Sequence, residues 1–376
     1  MIKIALMADT IDRRPEKTMV ARRLAEYLLT RDDVELTLIH YQSMPDDLLY
    51  KQAREVLIKP VIFPIRSRFL SFVRFALTTK ERYDVVHWLV GRVYPFFWLL
   101  PTRTTIVTAY DGGSVLAPGA KPFSTRVYNA VLRYFYRSIA AVVGRSDFGS
   151  EQIVRAYGIP RNLVPTVYVG IDEAYKPLPE AAVKPVLAKR ALARGGYILY
   201  VGGMQPHKNV AALVRAYSLY RKSGRAEKLV LVGDPSYGTG EVQKAIDACG
   251  YASDVMAVRY APAEELPALY NGALMYAHPS LNEGFGLPPI EAMACGTPVV
   301  SSNAASLPEV TGGAALLIDP HDEQGMSAAM VKVANDTALR AELSKKGIER
   351  AKIFTWQKMG ERYVSLYHSV LSHEKN

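Results

Sequence analysis

Short runs of β-branched and apolar residues alternate along this chain with longer stretches in which apolar positions recur every three or four residues. IKIAL is followed by a helical pattern over 16–30, and VELTLI, DVVHW and TTIVTA follow as further strands. Helical patterns over 125–138 and 148–157 then flank AAVVG, and VPTVYV closes the series. Apolar strands alternating with amphipathic helices predict a parallel sheet covered on both faces. After a proline-spaced stretch without a clear period, Tyr175–Arg194, the rhythm restarts with YILYVGG, a helix over 210–222, KLVLVGD, a helix over 241–249, DVMAV, ALMYAHPS, TPVVSS and AALLI. The aperiodic stretch predicts a linker. The expected fold class is therefore α/β: two Rossmann-like, doubly wound parallel-sheet domains, 1–178 and 179–355. A last helix within 356–376 follows both sets of strands and is free to pack on either domain, including back on the first.

Composition adds limits. The 376 residues are 49% apolar and 22% charged, which supports a large core and excludes disordered and collagen-like chains. Cys249 and Cys295 stand in unrelated segments, so neither a disulfide framework nor a Cys-based zinc site is expected. No apolar run reaches the ~18 residues of a membrane span. The nearest candidate, Trp88–Leu100, contains Arg92 and Pro95. MIKIALMADT reaches Asp9 before a signal-peptide core could form, and the expectation is a cytoplasmic protein. Residues 1–178 carry 25 Lys and Arg against 17 Asp and Glu, whereas residues 179–376 carry 21 against 19. A basic first half fits nucleic acid, anionic lipid or phosphorylated substrates, and charge alone does not choose among them.

The most informative segment is ALMYAHPSLNEGFGLPPIEAMACGTPVV. It reads as a buried strand, a glycine-containing loop, and a short helix opening near Pro288 and Pro289 and stopped by Gly296. Ligands of open α/β sheets bind at the carboxyl edge of the strands. Gly284 and Gly286 let backbone N–H groups approach an anion, and the helix N-terminus adds partial positive charge. Glu283 and Glu291 have seven residues between them, and Glu291 is expected in the first helical turn, both carboxylates facing one cleft. Carboxylates beside a phosphate site suit hydroxyl groups, which a sugar and a ribose supply. The bland alternative for both is surface charge near a helix end. His207 and His278 lack metal-ligand partners at suitable spacing and read as structural, and Cys295 has no base paired with it.

This segment closely resembles the signature of the retaining GT-B glycosyltransferases of family 4, and the likeness continues through VGGMQPHKNVAALVRAY, LVGD, AEELPALYNGA and SLPEVTGGAALLIDP. It covers the whole second half and is most similar to bacterial mannosyltransferases of polysaccharide assembly. The resemblance implies two domains facing a cleft, the second binding the nucleotide sugar and the first the acceptor. It implies ribose hydroxyls on Glu291 and donor-sugar hydroxyls on Glu283. Backbone amides of Phe285, Gly286 and Leu287 would meet sugar and pyrophosphate beside Gly284. Lys208, in the loop that opens at Gly203, would neutralise the departing diphosphate, as cations placed where charge develops lower a barrier. The implied chemistry is hexose transfer with retention and without a required metal, no Asp-x-Asp being present. GDP-mannose is the leading donor and UDP-sugars the alternative. The acceptor is a glycan or a polyprenyl or other lipid-linked glycan.

The first half departs from that pattern. The turn after the first strand has no glycine, and Arg13, Arg14 and Lys17 are candidates for an acceptor phosphate, against a plain solvated loop. Where relatives carry His-Asp after a later strand, this chain has Tyr110-Asp111, both placed as site residues although a tyrosine is a poorer proton shuttle near pH 7. RSRFLSFVRFALTTKERY and RVYNAVLRYFYRSIAAVV interleave basic and aromatic residues. They read equally as crossover helices and as helices lying on an anionic membrane, which would place the protein at the inner face of the cytoplasmic membrane. No nucleic-acid recognition motif accompanies the charge. A rival reading is a catalytically weak sugar-nucleotide-binding subunit at a membrane assembly site.

Overall fold

The computed structural model describes residues 1–8, 15–41, 47–61, 67–89, 93–109, 123–233 and 239–373. The chain divides into unit 1, Met1–Gly170 with Trp356–Asn376, and unit 2, Ile171–Thr355.

Among the described residues, unit 1 holds a six-stranded parallel sheet of β1 (Ile2–Met7), β2 (Val34–His40), β3 (Arg54–Leu57), β4 (Tyr83–Trp88), β5 (Thr102–Thr108) and β6 (Ala141–Val143). The strand order is 3-2-1-4-5-6. α1 (Pro15–Leu29), α2 (Leu48–Gln52), α3 (Arg68–Thr78), α4 (Phe123–Phe135) and α5 (Asp147–Tyr157) complete it. Caps set two of these helices. Ser67 Oγ accepts from Leu70 N ahead of α3, and Ser146 Oγ accepts from Gly149 N ahead of α5, which ends at Gly158 in the left-handed region.

The C-terminal helix Trp356–His373 packs on unit 1, burying Met359, Tyr363, Tyr367 and Leu371, one helical face, in the same core as β1 and α1. It is also pinned by polar contacts. His87 on β4 bonds the Tyr367 hydroxyl through Nδ1 and the Thr108 hydroxyl through Nε2, each at 2.8 Å, and Tyr363 reaches Thr108 at 2.9 Å. All four groups are buried, and burial depresses the His87 pKa to about 3, so the ring is neutral.

Unit 2 repeats the plan with β7 (Tyr197–Val201), β8 (Lys228–Val232), β9 (Val255–Val258), β10 (Met275–His278), β11 (Val299–Ser302) and β12 (Leu316–Ile318). Its order, β12-β11-β10-β7-β8-β9, is again 3-2-1-4-5-6 counted within the unit. The helices are α6 (Glu180–Ala188), α7 (Val210–Lys222), α8 (Thr239–Ala248), α9 (Leu266–Gly272), α10 (Leu287–Ala294), α11 (Leu307–Thr311), α12 (Glu323–Asn335) and α13 (Thr337–Ala351). In this topology the strand order reverses between the first and fourth strands, so β7 and β10 are neighbours whose connections leave toward opposite faces, opening a crevice at their carboxyl ends.

The structure departs from the sequence reading at three places. Residues 175–194, expected as a linker, lie in unit 2 and carry α6, whose buried Val183 and Leu187 are four apart; Pro185 between them hides the period. The units divide at 170/171, ahead of the 178/179 boundary read from sequence. VPTVYV adds no strand to the sheet and makes one isolated bridge, Thr166 with Gly144, because Pro165 offers a carbonyl and no N–H.

Candidate functional site

Three loops meet at the carboxyl ends of β7, β10 and β11. After β7 the chain runs Gly202–Lys208 into α7 through Asn209, which takes the left-handed conformation (φ 58°) that asparagine tolerates. The Asn209 amide donates to the carbonyls of Pro279 (3.2 Å) and Pro320 (2.7 Å), and Leu281 N donates to His207 O at 2.8 Å. From the β11 side, Ser306 Oγ lies 2.9 Å from the carbonyl oxygens of both Glu283 and Phe285. The loop carrying Glu283 is thereby fixed on both flanks.

Closely spaced glycines shape the entrance. Gly202 and Gly233 end β7 and β8, and a Cβ on Gly233 would fall 1.9 Å from the Gly202 carbonyl oxygen. Gly286, at φ 101°, turns the chain into α10, where Pro288 occupies the first turn. Gly203 lies beside Gln205, whose Oε1 is buried and makes no hydrogen bond among the described residues.

Lys208 and Glu283 are brought into direct contact. Lys208 Nζ lies 2.7 Å from Glu283 Oε1. The same oxygen accepts from His278 Nε2 and Ser280 Oγ, each at 2.9 Å. A carboxylate only accepts, so the His278 nitrogen facing it carries the proton. His278 Nδ1 meets the Tyr276 hydroxyl at 2.8 Å, and that hydroxyl also reaches the Val201 carbonyl at 3.1 Å. Burial acts to raise the Glu283 pKa, but the hydrogen bond and charge of His278 and the ammonium of Lys208 outweigh it and hold the carboxyl well below its ordinary range. Glu283 is ionised at any working pH.

Glu291 stands in a different environment. It is the fifth residue of α10, in the second turn and not the first, because the helix begins at Leu287. Its Oε2 accepts from the Tyr270 hydroxyl at 2.9 Å, and Tyr175 hydrogen-bonds it as well. Burial raises its pKa to about 7 against the pull of those two hydroxyls, and the charge of Asp172 adds to the rise. One carboxylate is thus permanently charged and the other titrates near neutrality. Burial also pushes the Cys295 thiol far up.

His278, which reads as structural in the sequence, lies within the cluster on Glu283. The available signal was its place as the last residue of a buried strand, five residues before Glu283, where a strand end delivers side chains to the crevice. Tyr270 and Tyr175, which hold Glu291, carried no such signal. Arg13, Arg14, Tyr110 and Asp111 lie outside the described residues, and only the backbone of Lys17 is described. Among the described residues no group of three or more His, Cys, Asp or Glu is arranged to hold a metal ion, and no helix is long and apolar enough to cross a membrane.

A lysine, a charged carboxylate and a glycine-lined helix entrance at a topological switch point suit a ligand with both an anionic group and hydroxyls. Comparison with known proteins agrees. The family model described as Glycosyl transferases group 1 matches residues 189–350, and that described as Glycosyltransferase Family 4 matches residues 18–175. The chain is 31% identical over 315 residues to the O-antigen chain mannosyltransferase B of Escherichia coli, covering 80% of this chain and 83% of that one. Among solved structures, sucrose-phosphate synthase from Thermosynechococcus elongatus superposes with a TM-score of 0.74 at 21% identity, covering 99% and 100% of the two chains. HepE of Anabaena, solved in complex with UDP and glucose, superposes with a TM-score of 0.77 at 17% identity over 98% and 100%. With both halves of the chain matched in order and the switch-point site built on the second, the protein belongs to the family 4 glycosyltransferases and has the GT-B fold.

Proposed function

We propose that the protein transfers a hexose with retention from a nucleotide sugar to a glycan or lipid-linked acceptor in polysaccharide or lipopolysaccharide assembly. Mannose from GDP-mannose leads, because the Escherichia coli relative is an O-antigen chain mannosyltransferase. The UDP in HepE keeps UDP-sugars as the alternative. Unit 2 takes the donor and unit 1 the acceptor, with Tyr110 and Asp111 as catalytic candidates beside Glu283 and Lys208, and Arg13, Arg14 and Lys17 as acceptor-binding candidates. The protein works at the inner face of the cytoplasmic membrane, in peripheral contact with anionic lipid.

The observation that carries the reading is the Lys208–Glu283–His278 cluster. In transfer, the acceptor oxygen bonds the anomeric carbon from the face the diphosphate leaves, the carbon–oxygen bond to the phosphate breaks, and the leaving phosphate takes the acceptor proton. Negative charge grows on the diphosphate. Lys208 has three N–H donors, and with one on Glu283 two remain for that charge. The amides of Phe285, Gly286 and Leu287 at the α10 entrance add to it, so no divalent cation is required. Glu283 receives a donor-sugar hydroxyl and Glu291 the ribose diol. Position and electrostatics do the work.

The test is thermal stabilisation by nucleoside diphosphates and sugar nucleotides, without added metal, on wild type and Glu291→Ala. A ligand that binds only the folded protein at a hundred times its Kd stabilises by about 2.7 kcal/mol. Stabilisation by GDP or UDP compounds that the variant loses is expected; no response to any nucleotide refutes the proposal.

A further inference from the structure

The net charge of the chain is +10. Residues 59–146 contain 13 Lys and Arg against 3 Asp and Glu, so this one segment carries the whole excess and the remainder balances to zero. The same segment holds most of the large apolar side chains that unit 1 leaves in water.

These side chains form a connected face. Phe69, at the start of α3, touches the Phe96 ring, with centroids 6.2 Å apart; Phe96 meets Trp98 at 5.5 Å, and Trp98 stacks on Phe135 of α4 at 4.6 Å and 24°. Trp98 and Phe135 nevertheless remain 38% and 42% exposed. Stacked rings facing water leave apolar surface uncovered, which costs free energy unless something covers it. On α4 the exposure is greater, with Phe123 at 80% and Tyr134 at 71%.

The arginines lie along the same elements. Residues 123, 126, 130, 133 and 137 follow three- and four-residue steps, so Phe123, Arg126, Arg133 and Arg137 fall along one stripe of α4 and the turn after it. On α3, Leu70, Arg74 and Leu77 do the same and are exposed. Arg74, Arg126, Arg133 and Arg137 are exposed, and none pairs with a carboxylate among the described residues. A crossover helix explains the buried side of α4, Val131 and Leu132; it does not explain aromatic rings alternating with arginines on the outer side.

We infer that the α3–Trp98–α4 face of unit 1 is a docking surface for an anionic lipid bilayer, with Phe123, Tyr134 and Trp98 seated at the headgroup level and Arg126, Arg133 and Arg137 on lipid phosphates. The inference deepens the lipid-linked acceptor reading above and rests on it for its biological sense. Charge complementarity selects the occupant. A second copy of the chain would bring two such faces of like charge together, and an uncharged glycan would leave the arginines without a counter-ion. Tryptophan and tyrosine favour the membrane interface, where one end is apolar and the other hydrated.

The experiment is co-sedimentation of the full chain with phosphatidylcholine vesicles and with vesicles containing 30% phosphatidylglycerol, together with Trp98 emission. Trp88, buried, and Trp356, half-buried, form the background that Trp98→Phe separates from the Trp98 signal. Binding only to the anionic vesicles, with a blue shift lost in Trp98→Phe, is expected. Each basic side chain at an anionic surface contributes about fivefold to partitioning, so Arg126→Gln/Arg133→Gln/Arg137→Gln should weaken it roughly a hundredfold. Phe123→Ser/Tyr134→Ser should weaken it while leaving the preference for anionic lipid. All five positions are exposed, and nucleotide-induced thermal stabilisation of each variant reports that unit 2 is intact. Equal binding to neutral vesicles, no binding, or an unchanged triple variant overturns the proposal, as does self-association abolished by the same substitutions. Vesicle binding without any nucleotide response would refute the transferase proposal and leave this one standing; the opposite pattern would do the reverse.

Discussion

The Nε2 of His278 lies 2.9 Å from Glu283 Oε1, the oxygen that Lys208 Nζ and Ser280 Oγ also reach. Three donors converge on one carboxylate oxygen, and Oε2 accepts no hydrogen bond from the described residues. The arrangement fixes the carboxylate plane and leaves Oε2 for the sugar hydroxyl that the proposed function assigns to it. His278→Ala removes a hydrogen bond to a charged group, worth about 1.5–3 kcal/mol. Donor turnover should fall on the order of tenfold to a hundredfold, and His278→Gln, which retains an N–H donor, should recover part of it. Unchanged steady-state kinetics for His278→Ala would show that Lys208 and Ser280 suffice.

The titration of Glu291 near pH 7 gives opposite trends in two measurements. Its folded pKa of about 7 is above the ordinary 4.5, so the folded protein holds the proton more tightly than the unfolded chain. Its contribution to stability is present at low pH and is lost as pH rises from about 4.5 to about 7. A ribose diol donates hydrogen bonds and favours the ionised carboxylate. Nucleotide affinity should therefore rise through pH 7, and Glu291→Gln should flatten both profiles. Calorimetric titration with the best-binding nucleoside diphosphate, between pH 5.5 and 8.5, checks the sign.

Neutral His87 predicts acid lability in unit 1. Its folded pKa of about 3 is below the ordinary 6.5, so the unfolded chain binds the proton more readily. Stability is full above pH 6.5 and falls by about 1.4 kcal/mol for each pH unit below it, toward the folded pKa. The C-terminal helix should loosen first, because Tyr363 and Tyr367 bond through this ring and its neighbour Thr108. Hydrogen exchange of residues 356–373 at pH 7 and pH 5 would show the difference, and exchange at equal free-energy cost at both pH values would sink the prediction.

Gly233→Ala tests the entrance. The added carbon would lie 1.9 Å from a backbone oxygen, and φ at this position is 159°. Gly202 N donates to the Val232 carbonyl and Gly233 N to the Val258 carbonyl, so moving the two glycines apart strains the strand ends. A cost of roughly 2–4 kcal/mol is expected, and with ~2–4 °C of melting temperature per kcal/mol at this unit size unfolding of unit 2 should move down by about 5–15 °C in a thermal scan.

The parallel sheets were legible because strands buried on both faces must be apolar throughout, as in YILYV and KLVLV, whatever surrounds them. Edge strand β3 was not: its REVL is half-exposed, and its place is set by pairing with β2. α6 was hidden by Pro185, which breaks the local rule while Val183 and Leu187 still pack. At the site, Glu283 stands out by its glycine-containing loop and Lys208 only by the family resemblance, and folding brings the two into contact. The partners that set their chemistry come from elsewhere in the sequence: Tyr270 is 21 residues from Glu291, and Tyr175 precedes it on the far side of four strands. Contacts made by folding have no periodicity to read.

The C-terminal helix belongs to unit 1 but follows all of unit 2 in the chain, which makes unit 2 an insertion within unit 1. At about 5–20 residues per second of synthesis, the 185 residues Ile171–Thr355 take roughly 10–40 s to appear. During that interval unit 2 can finish folding while α1, β4 and β5 still wait for Tyr363 and Tyr367. A newborn chain thus passes through a stage with a closed unit 2 and an open unit 1, its hydrophobic seam around Tyr27 and His87 exposed. Any partner that shields nascent protein would find its target on unit 1, and the last eighteen residues of helix remove it.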